Sequence, residues 1–324
     1  MAVAVAAAAG DGLSHRVLFY RDQREYLACA ASFAHDGLAG AEPVFIAVPG
    51  AKGRLIRERL GEDFRHLAYA DMAEAGRNPA RIIPQVRSFI DQHPGRRIRF
   101  VQEPVWPGRS AAERYEVARH EALINLAFTG MAASILCLYA TDGLGDSVTG
   151  TACRTHPEIL ARGRRQASVS YAGPDGLARA FEAPLPAPPA AAEVTGYRSD
   201  LRPMRHLVEA HAWRCGLSGD RAANLVLAAS ELAANTLRHT DGGGTLSVWH
   251  TRSEILCQVE DQGWITDPLA GRRRRPAAEP GHGLWLVNQV CDLVELRSGP
   301  GGTAIRLHMR RPGAERRQAE QQAG

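Results

Sequence analysis

The sequence is almost without lysine. Lys52 is the single one among 39 basic residues, the rest being arginine. A Walker A loop needs Gly-x-x-x-x-Gly-Lys-Ser/Thr, and Gly50-Ala51-Lys52-Gly53 does not fit it, which excludes a P-loop phosphate site. No two of the six cysteines stand as a C-x-x-C pair, which argues against a zinc ribbon or a thioredoxin-type motif. No metal-ligand spacing is present, and no bound transition metal is expected. Scattered cysteines fit a reduced, cytoplasmic setting. No run of eighteen apolar residues exists, so no membrane span is predicted. The formal net charge of +4 over 324 residues gives no electrostatic case for direct nucleic-acid binding. A helix-turn-helix signal is also missing. Met1 to Ala9 are apolar but lack a basic n-region and turn at once to Gly10-Asp11-Gly12, so residues 1–12 read as a disordered tail rather than a signal peptide.

What is present is a globular composition, 45% hydrophobic and 23% charged, with length for two domains. The break is Ala183-Pro184-Leu185-Pro186-Ala187-Pro188-Pro189. Proline fixes φ and removes donors, so this stretch is stiff and extended. The predicted organisation is a domain over 13–181, a Pro/Ala linker over 182–196, a second domain over 197–311 and a tail over 312–324.

In the first domain, strands are predicted at Arg16–Tyr20, Pro43–Val48, Ile98–Val101 and Ser134–Tyr139. Helices alternate with them over Arg24–Gly37, Gly53–Leu60 and Ala111–Phe128. That alternation implies an α/β domain with a mostly parallel sheet. The second domain has a helix over Arg202–Arg214, a long helix over Asp220–Arg238 capped near Ser218, and paired strands at Thr245–His250 and Glu254–Glu260. A short helix over Leu284–Val290 and closing strands at Leu293–Arg297 and Thr303–Met309 complete an α+β sandwich.

Four segments of the second domain carry candidate chemistry. Glu231 and Asn235 lie four apart and share one face of the long helix, although such a pair is usually just a solvated face. Asp261 precedes Gly263 at a strand end, where a carboxylate can be aimed into a pocket while the chain turns tightly; an ordinary turn looks the same. Gly281-His282-Gly283-Leu284 opens a helix, where backbone donors and the dipole favour an anion. Gly301-Gly302-Thr303 precedes the last strand and equally suits a hairpin.

The order and spacing of these segments resemble the GHKL superfamily of gyrase, Hsp90, histidine kinases and MutL. The text Gly281-His282-Gly283-Leu284-Trp285-Leu286-Val287 and Arg297-Ser298-Gly299-Pro300-Gly301-Gly302-Thr303 is closer still to anti-sigma-factor serine kinases. The resemblance implies the GHKL (Bergerat) fold and Mg-ATP binding. It implies Asn235 as the Mg²⁺ ligand, Asp261 on the adenine amino group with Gly263 and Thr303 assisting, and Gly281, His282, Gly283 and Leu284 around the phosphates. Glu231 is implied as general base. It further implies serine phosphorylation of a STAS-type anti-sigma-factor antagonist or binding of a sigma factor, under control of the first domain, and a homodimer as is common among relatives. A non-catalytic module that binds ATP and sequesters its partner is the alternative. The family pattern Asp-x-Gly-x-Gly departs here at Ile265. Arg272 to Arg275 read as a solvated lid near phosphates rather than a nucleic-acid patch, and His239 and His282 as structural or ligand-lining. A phosphoacceptor histidine on a dimerising hairpin is absent before this domain, which argues against autophosphorylation on histidine.

In the first domain, Arg77-Asn78-Pro79-Ala80-Arg81, Glu103-Pro104-Val105-Trp106-Pro107-Gly108-Arg109-Ser110, His120 to Phe128, Leu136-Cys137-Leu138-Tyr139 and Thr155-His156-Pro157 occur in an order that resembles the MEDS sensory domain over about 13–165. This implies a RecA- or KaiC-like core without a working P-loop and sensing of small organic molecules. Members often read Leu-Cys-Pro-Tyr-Asp where this chain has Leu-Cys-Leu-Tyr-Ala. Glu103, Arg109, His120, Glu121 and Cys137 are the candidates to line one sensory pocket at strand ends. Cys137 also reads as a small buried hydrophobe, and His120 and Glu121 as mutual partners.

Overall fold

A computed structural model describes residues 12–161, 163–181, 183–274 and 281–313. Most of the expected tails (residues 1–11 and 314–324), linker position 182 and Arg275 of the arginine run lie outside the described residues. The chain divides into two compact units, Met1–Arg179 and Ala180–Gly324.

The first unit is built on strands β1 (Ser14–Tyr20), β2 (Val44–Val48), β3 (Ala68–Asp71), β4 (Ile98–Gln102), β5 (Ala133–Ala140), β6 (Glu158–Ala161) and β7 (Arg164–Ala167). They form one sheet in the order β3-β2-β4-β5-β1-β6-β7. All pairings are parallel except that of β7 with β6. β2 and β4 are buried at every position because helices cover both faces, so their sequences are apolar runs rather than alternations. Leu18, Tyr20, Ile46, Val48, Val101, Leu136 and Leu138 pack with the helices Gln23–Ala39 and Gly50–Leu60. The intervening residues His15, Gln102, Cys137 and Tyr139 turn the other way, and His15, Gln102, Cys137 and Tyr139 meet Glu121 of the helix Ala111–Ala127. That helix starts in a full capping box, Ser110 with Glu113. β3, β6 and β7 were not expected from sequence, being four residues each and largely half-buried or exposed.

The second unit is an antiparallel sheet of β8 (Glu193–Tyr197), β9 (Gly244–His250), β10 (Glu254–Asp261), β11 (Leu293–Gly299) and β12 (Gly302–Arg310), ordered β11-β12-β10-β9-β8. β8 begins inside the stretch read as linker. The Pro/Ala run ends at Ala192, and pairing of β8 with β9 satisfies the edge backbone of residues that show no apolar alternation. The helices Arg202–Arg214, Gly219–His239 and Gly283–Val290 pack on one face. The long helix buries Ala222, Leu225, Ala228, Ala229, Leu232, Ala233 and Thr236, a stripe at spacings of three and four. The small alanines let it lie close on Val248, Cys257, Ile305 and Leu307, which are fully or nearly fully buried in the same core. Ser218 stands at its N-cap position, without a side-chain capping bond. Glu231 and Asn235 fall at the edge of that stripe, half-buried, beside the helix Gly283–Val290.

Candidate functional site

A cavity of about 680 Å³ opens between the long helix, the end of β10 and the loop that follows it. Its lining includes Asn235, Asp261, Gly263, Gly281, Leu284 and Thr303, six of the residues singled out in sequence. Glu231, His282 and Gly283 are not among the lining residues.

Asp261 ends β10, and both of its carboxylate oxygens are fixed. Tyr197 Oη donates to Thr236 Oγ1 at 3.0 Å, and Thr236 Oγ1 donates to Asp261 Oδ2 at 2.6 Å. Burial pushes the Tyr197 phenol up to about 12, so it stays a neutral donor at the head of this relay. The amide of Gly263 donates to Asp261 Oδ1 at 2.8 Å. A Cβ on Gly263 would stand 2.9 Å from Thr240 and 3.0 Å from Asp261 Oδ1, so the tight turn after the carboxylate needs glycine. Thr303, opposite Asp261 in register, donates to the Gly263 carbonyl at 2.8 Å. Ser298 Oγ lies 2.6 Å from Thr303 Oγ1 and accepts from the Ile265 amide at 2.7 Å. Ile265, where the family pattern has glycine, is therefore held by its backbone, which does not depend on its side chain.

Helix Gly283–Val290 meets the long helix through Gly283. A Cβ there would stand 2.8 Å from Glu231 Oε2 and 3.1 Å from Asn235 Nδ2. The glycine thus brings the start of one helix against the polar edge of the other. Asn235 Oδ1 accepts from Arg238 at 2.9 Å. Arg273 and Arg274 line the cavity, and Arg274 lies over the Trp285 ring at 5.5 Å. Thr236, Tyr197 and the exposed, cavity-lining Trp264 were not singled out in sequence. A hydroxyl on a buried helix face and a tyrosine ending a polar strand carry no distinguishing local pattern.

Residues 14–157 match the family model of the MEthanogen/methylotroph, DcmR Sensory domain (MEDS), and residues 197–309 match that of the histidine kinase-like ATPase domain. The chain carries a MEDS domain followed by a histidine kinase-like ATPase domain. A search of curated proteins finds no match to it. The cavity described above belongs to the ATPase domain. Among the described residues, no helix is long and apolar enough to cross a membrane.

In the MEDS domain the five pocket candidates separate. Gln102 joins three of them: His120 Nε2 lies 3.3 Å from Gln102 Oε1, while Gln102 Nε2 donates to Glu121 Oε1 at 3.2 Å and to Cys137 Sγ at 3.1 Å. Glu103 turns instead to Tyr20 and Lys52, accepting from Tyr20 Oη at 2.7 Å and pairing with the lysine ammonium. Burial raises the Glu103 carboxyl, against the lowering effect of Lys52. Arg109 donates to the Gly76 carbonyl at 2.7 Å and lies 3.9 Å over the Trp106 ring, which holds the loop before Ser110. His15, not named from sequence, and His156, quoted there only within the Thr155-His156-Pro157 motif, join Glu121 and Cys137 in a fully buried group. Their chain positions are too far apart for any spacing rule to connect them.

Proposed function

We propose that the ATPase domain binds Mg-ATP in this cavity and phosphorylates a serine of a STAS-type antagonist, or binds a sigma factor, as an anti-sigma regulatory kinase controlled by the MEDS domain. The carrying observation is the relay Tyr197–Thr236–Asp261, which presents a carboxylate with both oxygens oriented at the floor of a cavity of nucleotide size. Asp261 suits the exocyclic amine of a purine, which has a donor to give and no charge to neutralise. The approach of Gly283 to Glu231 and Asn235 holds the start of its helix against Asn235, whose amide would lie beside the phosphates, and Arg273 and Arg274 supply positive charge at the rim. Asn235 would hold Mg²⁺ through its oxygen, after releasing Arg238. Magnesium bound there would offset phosphate charge, leaving the protein to position the reactants. The sandwich with helices on one face supports the GHKL assignment. The order β2-β4-β5-β1-β6 supports a RecA- or KaiC-like core for the MEDS domain.

One observation favours a second reading. Glu231 is not among the cavity-lining residues, which fits a module that binds ATP and sequesters its partner without transfer. Incubating the full chain with Mg-ATP and a STAS-domain protein, then mapping phosphoserine, tests both. Transfer that is abolished by Asn235→Ala and Glu231→Gln supports the kinase. Nucleotide-dependent partner binding without transfer supports sequestration, and absence of Mg-ATP binding by the folded chain overturns both.

A further inference from the structure

We propose that His15, Glu121, Cys137 and His156 of the MEDS domain form a closed binding site for a divalent transition-metal ion of the zinc class. The inference does not rest on the nucleotide reading. His15 comes from β1, Cys137 from β5, Glu121 from the helix Ala111–Ala127, and His156 from the end of the helix Asp146–Thr155. All four are fully buried, and one ligand atom of each lies within 4.8 Å of all the others.

The hydrogen bonds around this group fix which atoms face its centre. His156 Nδ1 lies 2.8 Å from the Ala152 carbonyl, an acceptor only, so Nδ1 carries the proton. Asn125 Nδ2 donates to the Thr155 carbonyl at 2.8 Å, which leaves Asn125 Oδ1 to accept from His15 Nδ1 at 3.1 Å. In the neutral form of each ring, Nε2 is therefore the unprotonated nitrogen and faces inward. Glu121 Oε1 accepts from Gln102 Nε2 and Tyr139 Oη, each at 3.2 Å, while Oε2, which Gln102 Nε2 also reaches at 3.3 Å, faces the two histidines and Cys137. Oε2 then stands 3.1 Å from His15 Nε2 and 3.3 Å from His156 Nε2, and His156 Nε2 makes no hydrogen bond. Cys137 Sγ is 3.3 Å from both His15 Nε2 and Glu121 Oε2.

Two nitrogen lone pairs, a carboxylate oxygen and a sulfur thus converge where water cannot reach. A proton on one ring pairs one nitrogen with the carboxylate and leaves the other facing it bare. Protons on both rings would place two cations side by side, with ring centroids 4.1 Å apart, in a buried site. A divalent cation satisfies all four donors at once. Two imidazoles, one thiolate and one carboxylate suit zinc in tetrahedral geometry, whose donor atoms lie about 3.3–3.8 Å apart; the four separations of 3.1–3.3 Å given above need only a slight expansion. The outer bonds to Ala152, Asn125, Gln102 and Tyr139 are the kind that orient metal ligands. Binding would release the thiol proton to solvent.

The test uses the full chain, prepared without chelators, then stripped and titrated with Zn²⁺ or Co²⁺ alone. The expected result is one equivalent bound, with tetrahedral Co²⁺ absorption and a thiolate-to-cobalt charge-transfer band. Cys137→Ser should remove that band, and Gln102→Leu or Asn125→Leu should weaken binding roughly 10- to 100-fold. X-ray absorption of the wild-type zinc protein should give one sulfur among nitrogen and oxygen neighbours, which needs no variant to fold. Folded wild-type chain that takes up neither ion overturns the proposal. So does uptake that survives Cys137→Ser but is lost with Cys215→Ser, because it assigns the ion to the other His/Cys group, His211, Cys215 and His250.

Discussion

Thr236 stands between Tyr197 and Asp261 and passes a hydrogen bond from one to the other, 3.0 Å on the tyrosine side and 2.6 Å on the carboxylate side. An edge strand, the long helix and a central strand are thereby joined at the floor of one cavity. Thr236→Val keeps the shape and removes the link. It should cost about 1–3 kcal/mol of stability, because a buried phenol and a carboxylate oxygen lose their partner. ATP affinity should fall by roughly tenfold, since one lost hydrogen bond of about 1.4 kcal/mol is a factor of ten. Calorimetry with Mg-ATP and a denaturant series measure both. Unchanged nucleotide affinity would separate the relay from the purine.

Gly283→Ala should damage the site without touching any charged residue. Its methyl would stand 2.8 Å from Glu231 Oε2 and 3.1 Å from Asn235 Nδ2, so the two helices must part. Overpacking of this kind costs about 1–3 kcal/mol. Adding Glu231→Ala should restore much of the melting temperature but not nucleotide binding. A melting temperature equal to wild type in the single variant would contradict the close approach.

Arg238 competes with a cation for Asn235 Oδ1, which it holds at 2.9 Å. The arginine is exposed, so the bond is worth only about 0.5–1 kcal/mol. Arg238→Ala should lower the Mg²⁺ concentration needed for half-maximal ATP binding by roughly two- to fivefold. A rise instead would mean that Arg238 serves the phosphates directly.

His308 should make the ATPase domain pH-sensitive. Its ring nitrogens lie 3.0 Å from Glu254 and 2.9 Å from Glu295, on the sheet face away from the helices. Burial disfavours its charge, yet the two carboxylates prevail and raise its pKa from 6.5 to about 9. A raised folded pKa stabilises fully below the unfolded value and is lost as pH rises through the folded one. Stability should therefore fall between pH 6.5 and about 9, by at most about 3 kcal/mol. Chemical denaturation across that window should show the slope in wild type, and a nearly flat line in His308→Gln.

Legibility in the sequence followed locality. The central strands of the MEDS domain were visible because Val44–Val48 and Ala133–Ala140 are short apolar runs. The long helix was visible through its stripe containing Leu225 and Leu232, and Asp261-x-Gly263 through its turn chemistry. What escaped depends on contacts across the fold. Tyr197 and Asp261 are 64 positions apart in the chain and share only Thr236 between them. His15 reaches Glu121 from another element altogether, so the expectation of no metal site, drawn from spacing, had no access to that geometry. Glu103 and Glu121 looked like members of one pocket, but Glu103 turns to Tyr20 and Lys52 while Glu121 turns to the histidines. β8 escaped because Glu-Val-Thr-Gly-Tyr has no apolar run of its own and is a strand only by pairing with β9.

That last element has a practical consequence for anyone wishing to isolate the ATPase domain. Trimming the chain at residue 197, where the family match begins, would amputate four of the five residues of β8 and bare the hydrogen-bonding rim of β9. It would also discard Pro186, whose carbonyl accepts from Arg306, and would leave the tyrosine that heads the relay as a loose chain end. A fragment cut ahead of residue 183 keeps its edge, its strap and its purine-facing floor together.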